Sequence, residues 1–273
     1  MPTETFPAEL SEIRTISTTA AGSSLTTTPS FLQIPNGSIW LGMTPKNYTT
    51  AVVAQVALSP YLVVFKTTDN LAAVANQTDY SEAAQDGDTA TDVVLSSLST
   101  AAANDFMFVG SAVPIRGVSI DVDATNGTAS ALTVKYRKSD NSWADITATD
   151  NTGGATSLAN DGTVTWTVPT DWIKTTLNAA YAIDAVAIKS PMYGNTPLYW
   201  TRWQWAAGLD SSTTLNSIVA LNRSTAYFEL ETGVTFSQKI SKGIDGVGSI
   251  EMRTDAGTAN IIVRVGAGKA GFV

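Results

Sequence analysis

Few residues in this chain invite a chemical reading. Asp121 and Asp123 sit in an alternating run, Val118, Ile120 and Val122 against Ser119, Asp121 and Asp123. Both carboxylates therefore project from one side of a strand, with Asn126 three residues on. Oxygen donors placed in this way could begin a calcium site, which takes about six to eight oxygens. The spacing is not that of an EF-hand loop, and a solvated strand face is the simpler account of the pair. Asp161, Asp171 and Asp184 are the other carboxylates near aromatic residues, where a two-carboxylate glycosidase would place its acid and its base or nucleophile. Asp161 precedes Gly162 and Asp171 follows Pro169-Thr170, so turn chemistry explains both.

Tryptophan supplies the strongest pattern. Six of the seven fall between positions 143 and 205: Trp143, Trp166, Trp172, Trp200, Trp203 and Trp205. Strict alternation along Leu198–Trp205 puts Tyr199, Trp203 and Trp205 on one face and Leu198, Trp200, Arg202 and Gln204 on the other. A strand aromatic on both faces suits a doubly buried core strand. A subunit interface and a sugar-stacking platform are the alternatives.

The missing residue types narrow the chemistry further. The chain has no cysteine and no histidine. Thiolate nucleophiles, disulfides, a Ser-His-Asp triad and zinc sites built on imidazole are therefore excluded. No S-x-x-K or G-x-S-x-G pattern occurs. The glycines of Gly243-Ile244-Asp245-Gly246-Val247-Gly248 lack the strand-to-helix setting and the following lysine of a phosphate loop. The expectation is a non-enzymatic protein with no catalytic residue, no cofactor and no metal.

The elements that would position these residues are short strands. Charged residues make up 15% of the 273 positions, against roughly a quarter in ordinary globular chains. Thr, Ser, Ala, Asn and Gly fill the difference, a composition that suits strands and tight turns. Strand-length runs recur at Ser38–Gly42, Ala51–Ala57, Tyr61–Phe65, Asp105–Gly110, Val118–Val122, Leu132–Tyr136, Trp143–Thr147, Val164–Val168, Leu198–Trp205 and Leu215–Leu221. Further runs follow at Ala226–Leu230, Val234–Ile240, Gly248–Met252 and Ile261–Val265, with a short helix expected near Ser81–Gln85. Turn signals separate them, among them Pro35-Asn36-Gly37, a hairpin-type Asn126-Gly127 and Asp140-Asn141. About ten residues per strand indicates a sandwich or jelly roll.

Residues 15–30 are low in complexity and almost free of large apolar side chains, and residues 1–30 read as an extended N-terminal arm. Residues 31–100 read as a β-rich segment with an acidic loop, paired with C-terminal strands in 223–273. Residues 101–222 read as the jelly-roll or β-sandwich domain. The net charge of −8 is uneven: residues 1–115 carry three bases and ten acids, and Asp69 to Asp105 holds seven acids and no base. No basic stripe suggests nucleic acid as a partner. The opening residues show no signal-peptide pattern, and the Ala51–Phe65 run is broken by Gln55, Ser59 and Pro60, so no membrane segment is expected.

Several of these runs resemble a β-sandwich module of tailed-bacteriophage virion proteins. The similarity lies in Ala101–Val122 (AAANDFMFVGSAVPIRGVSIDV), Val134–Trp143 (VKYRKSDNSW), Gly162–Trp172 (GTVTWTVPTDW) and Tyr199–Trp205 (YWTRWQW), within about residues 70–220. The chain departs from that pattern by the Ser190–Pro197 stretch (SPMYGNTP) before the aromatic strand. The resemblance implies a virion role and carries no catalytic residues. The expected role is that of a capsid cement or decoration protein. Made in the host cytoplasm, it would bind the major capsid protein on the outer head surface and self-associate as a homotrimer. A tail or fibre receptor-binding protein that recognises host glycan, or a tail or baseplate subunit, is the alternative.

Overall fold

The structure is a computed structural model, and it describes residues 12–17, 22–46, 52–96, 98, 104–181, 196–222, 227–231 and 233–268. It is all-β, with helix confined among the described residues to two 3₁₀ turns and one short α-helix. The chain divides into two units, Met1–Tyr61 with Ser224–Val273, and Leu62–Arg223.

The first unit begins with β1 (Glu12–Thr15), β2 (Ser23–Leu25), β3 (Ser30–Gln33), β4 (Ser38–Lys46) and β5 (Ala54–Pro60). The chain then builds the whole second unit. Its strands are β6 (Leu62–Thr67), β7 (Gln77–Asp79), β8 (Val93–Val94), β9 (Phe106–Ser111), β10 (Gly117–Ala124) and β11 (Leu132–Arg137). They continue with β12 (Trp143–Asp145), β13 (Thr149–Asp150), β14 (Gly162–Thr165), β15 (Lys174–Thr175), helix α1 (Leu177–Tyr181), β16 (Leu198–Trp205) and β17 (Thr214–Leu221). It returns to the first unit as β18 (Phe228–Leu230), β19 (Phe236–Lys239), β20 (Val247–Thr254) and β21 (Ala259–Ala267).

In the first unit one sheet runs β1-β21-β4-β19, with β2 also on β21, and the other runs β18-β5-β20-β3. Ile261, Val263 and Val265 alternate along β21, and Leu41 and Met43 along β4. They meet Ala54, Val56, Ile250 and Met252 from the other sheet in one aliphatic core. Neither the leading strands nor the returning ones could bury that apolar surface alone; each side chain buried contributes on the order of 1.5–3 kcal/mol.

The second unit packs a seven-stranded sheet, β12-β11-β16-β9-β6-β7 with β15 on β16, against the five-stranded sheet β13-β14-β10-β17-β8. Successive long strands alternate between the sheets: β9, β11 and β16 lie in one, β10, β14 and β17 in the other. The period-2 residues Val118, Ile120 and Val122 of β10 and Val134 and Tyr136 of β11 fill the space between them, with Trp203 and Trp205.

The structure redraws three features of the sequence reading. The sandwich begins at Leu62, not near 101, because β6 pairs with β9 over six residues, from Leu62 opposite Ser111 to Thr67 opposite Phe106. The whole acidic stretch from Asp69 to Asp105 thus belongs to the second unit, where β8 closes an edge on β17. Within the arm expected over 1–30, β1 and β2 pair with β21, and Leu25 is fully buried in the core, so one well-placed leucine anchors a low-complexity segment. Residues 1–11 and 18–21 of that arm lie outside the described residues. Asn126-Gly127 does not close a hairpin, since β10 and β11 lie in different sheets. Asn126 is instead buried, its side-chain amide donating to the carbonyls of Thr128 and Ser157, both at 2.9 Å.

Candidate functional site

The tryptophans were the leading candidates for a binding surface, and the fold consumes most of them. Trp200 and Trp203 are fully buried, and Trp205, Trp166 and Trp172 nearly so. Each indole N–H has an acceptor: Trp203 Nε1 donates to Thr201 Oγ1 at 2.9 Å, Trp205 to Ser157 Oγ at 3.4 Å, and Trp166 to the Ile115 carbonyl at 2.8 Å. Trp172 Nε1 donates to the Trp200 carbonyl at 3.2 Å, and Trp200 Nε1 to the Thr175 carbonyl at 3.0 Å. Edge-to-face contacts link Tyr136, Trp172, Trp166 and Trp203 in a chain, with ring centroids 6.2–6.5 Å apart. A ring so enclosed packs the core and offers no face to a sugar.

Trp143 is different. It is half-buried on β12, on the opposite face of the seven-stranded sheet from that core. Arg202 of β16 lies 4.5 Å from the Phe106 ring and 5.3 Å from the Trp143 ring, and Arg137 of β11 lies 5.8 Å from Trp143. Phe108 completes the group, its centroid 6.1 Å from that of Trp143. The strand register brings them together: Trp143 stands opposite Arg137, and Arg202 opposite Phe108. Two guanidinium groups over aromatic rings make a preorganised cationic and aromatic cluster, in which Arg202 and Trp143 are half-buried and Arg137, Phe106 and Phe108 are buried. Alternation along Leu198–Trp205 assigned Arg202 to this face, but nothing local in the sequence connects it with Phe106 or Trp143.

Trp200 shares that face through a glycine. It stands opposite Gly110, and a Cβ at Gly110 would come within 2.6 Å of the indole ring. The aromatic strand ending in Gly, part of the sequence resemblance, is therefore a seat for Trp200.

The carboxylates do not converge. Asp121 accepts from Asn216 Nδ2 at 3.0 Å and Asp123 from Thr214 Oγ1 at 2.9 Å, while Asn126 is committed to the carbonyls of Thr128 and Ser157. Asp161 accepts the Val122 amide at 2.9 Å, and Asp171 accepts the Tyr136 hydroxyl at 2.8 Å with Lys138 Nζ at 3.8 Å. Burial pushes the Tyr136 phenol up, and the Asp171 carboxylate adds to that shift. Asp184 lies outside the described residues. Among the described residues, no group of three or more carboxylates is placed to hold a metal ion.

Two polar groups that sequence reasoning missed hold loops. Asp210 accepts the Thr128 hydroxyl and the Gly127 amide, which keep its carboxyl below the ordinary range. It ties the β10–β11 connection to the segment before β17 across more than eighty residues of sequence, too far for any local signal. Lys66 is buried on β6, donates from Nζ to the Val94 carbonyl at 2.7 Å and lies over the Tyr80 ring. Burial lowers its pKa, against a smaller upward pull from Asp105.

Strand β1 is the last candidate surface. All four of its residues are exposed, including Ile13, and it holds the edge of its sheet through the ladder to β21. No helix among the described residues is long and apolar enough to cross a membrane. No protein-family model matches the chain, and no curated protein matches its sequence.

Proposed function

We propose that this chain is a structural component of a virus particle, and specifically a capsid cement protein that binds the outer surface of a phage head. The observation that carries this reading is strand β1. A strand with four exposed residues at a sheet edge adds hydrogen-bonding backbone and surface without adding core, as a segment that serves adhesion more than folding would. The half-buried Arg202 and Trp143, backed by the buried Arg137, support the same reading, because aromatic and arginine side chains are enriched where protein interfaces form. The sequence resemblance to virion β-sandwich modules supplies the particle. On this reading many copies bind the major capsid protein and one another, most simply as trimers, and weak contacts add by multivalency.

The test is quantitative mass spectrometry of purified particles. Copies approaching the number of major shell subunits are expected. A few copies per hundred shell subunits would overturn the cement role. That result would favour the second reading, a receptor-binding tail protein, for which the half-buried Trp143 between two arginines is the specific observation. Binding of the purified chain to host-surface glycan would then decide it.

A further inference from the structure

The edge of β21 is occupied twice by the same arm. β1 pairs from Glu12 opposite Ala267 to Thr15 opposite Arg264, and the Ile16 amide adds a bond to the Val263 carbonyl at 2.9 Å. β2 pairs from Ser23 opposite Ile261 to Leu25 opposite Ala259. On β21 a single residue, Ile262, separates the two paired stretches. On the arm side six residues, 17–22, separate them, where a continuous strand would need one. Six residues can span about 20 Å when extended.

The two stretches are also held differently. Leu25 is fully buried, whereas β1 buries no residue and only Ile16, at its end, reaches the margin of the core. The arm returns to the edge at Gly22, with φ 104°, where a Cβ would lie 2.6 Å from the Ile261 carbonyl oxygen. Thus β2 is seated by a buried leucine and a glycine-only turn, and β1 is tethered to it by more chain than its present position uses.

We propose that the segment Glu12–Ile16 is an exchangeable clasp: in the assembled protein it leaves its own β21 and pairs, in the same register, with β21 of a second copy. The proposal rests on the reading of the chain as an assembling virion component and names the contact that links its copies. Exchange replaces each backbone hydrogen bond with an identical one, and the exposed side chains of β1 forfeit no core packing. What it adds is a strand-paired link between neighbours, covalent only within the chain that lends the clasp, and copies held side by side meet the clasp at high effective concentration.

The chain has no cysteine, so an engineered pair meets no native thiol, and peptide mapping tells a bridge between positions 15 and 264 from one between like positions of two chains. Thr15 and Arg264 stand directly opposite each other. Opposed residues of antiparallel strands lie about 4.5–5.5 Å apart at Cα, within disulfide reach. The full chain carrying Thr15→Cys and Arg264→Cys would be oxidised and run without reductant. The expected product is cross-linked between chains, from position 15 of one to position 264 of the other, at twice the chain mass or more. Deleting residues 17–21 places Gly22 opposite Ile262 and makes the arm one unbroken strand, so the same cysteine pair is expected to close within one chain. A full-length product of single-chain mass only, or interchain bridges that join like positions only, at concentrations up to about 1 mM, the effective concentration of tethered sites, overturns the clasp. As a check free of substitutions, light scattering of the unaltered chain should show self-association that the 17–21 deletion removes; self-association unchanged by the deletion overturns the proposal as well. Copy number in the particle judges the cement role separately. A near-stoichiometric count with only intrachain disulfides would keep that role and remove the clasp.

Discussion

The two units solve the same problem with different materials. The second is built from one uninterrupted stretch of chain, and its core carries Trp166, Trp172, Trp203 and Trp205. The first is closed by strands from both flanks of that stretch, around leucine, isoleucine, valine and methionine. Each unit seats a tryptophan over a mid-strand glycine, but by different routes. Trp40 lies over Gly42 of its own strand, while Trp200 lies over Gly110 of the neighbouring one. Their edges differ too. In the second unit the edge strands β7, β8, β12 and β13 are two or three residues long. Short edges offer little to a foreign strand. The first unit ends one sheet on the four-residue β1, every residue of which is exposed. The comparison separates a unit specialised for a rigid aromatic core from one that keeps an open margin.

The largest effect expected is in the aromatic core. Trp203→Ala should destabilise the second unit by about 3–5 kcal/mol, as for other buried aromatic truncations. Amide hydrogen exchange should show the loss in β9, β11 and β16, with protection in β4, β20 and β21 unchanged. Equal loss in both units would break the comparison. Gly110→Ala comes next. The added methyl meets the fully buried Trp200 ring and cannot be relieved by a flexible side chain, so a loss of about 1–3 kcal/mol is expected in the urea midpoint.

A smaller, pH-dependent effect is expected at Asp210. The Thr128 hydroxyl and the Gly127 amide favour its ionised form, so its folded pKa lies below the unfolded one. The stability it contributes is therefore present above the ordinary carboxylate range and is lost as pH falls through the lowered folded value. Asp210→Asn should lower the urea midpoint near neutral pH and leave little difference from the unaltered chain in strong acid. A difference that does not change with pH would show that Asp210 acts by shape alone. The smallest effect belongs to β1. Ile13→Ser should change stability by less than about 0.5 kcal/mol, as for other exposed positions, in a thermal melt of the purified chain. A larger loss would mean that this margin is part of the core after all.

Much of the fold was legible in the residues, and for local reasons. Alternation along β10, β11 and β16 follows from the two-residue period of a strand, and the turn at Asp140-Asn141 joins β11 to β12, with Asn141 at φ 63°. A core role for most of the tryptophans could be read from an aromatic pattern on both faces of Leu198–Trp205. The candidate surfaces were less legible. The Arg202, Trp143 and Phe106 group joins three strands far apart in sequence, and the Asp210 loop tie spans more than eighty residues.

By itself the sequence determined the class of structure and the kinds of chemistry open to it. Period-2 patterning specifies strands, and a chain without histidine or cysteine lacks imidazole and thiolate whatever its fold. Tertiary structure alone decided that the sandwich begins at Leu62, that Asn126 ties loops instead of turning a hairpin, and that β1 lies exposed on β21. Strand pairing across large sequence separations depends on which edges remain open once the cores have closed. That is a property of the assembled sheets, and no local window of residues contains it.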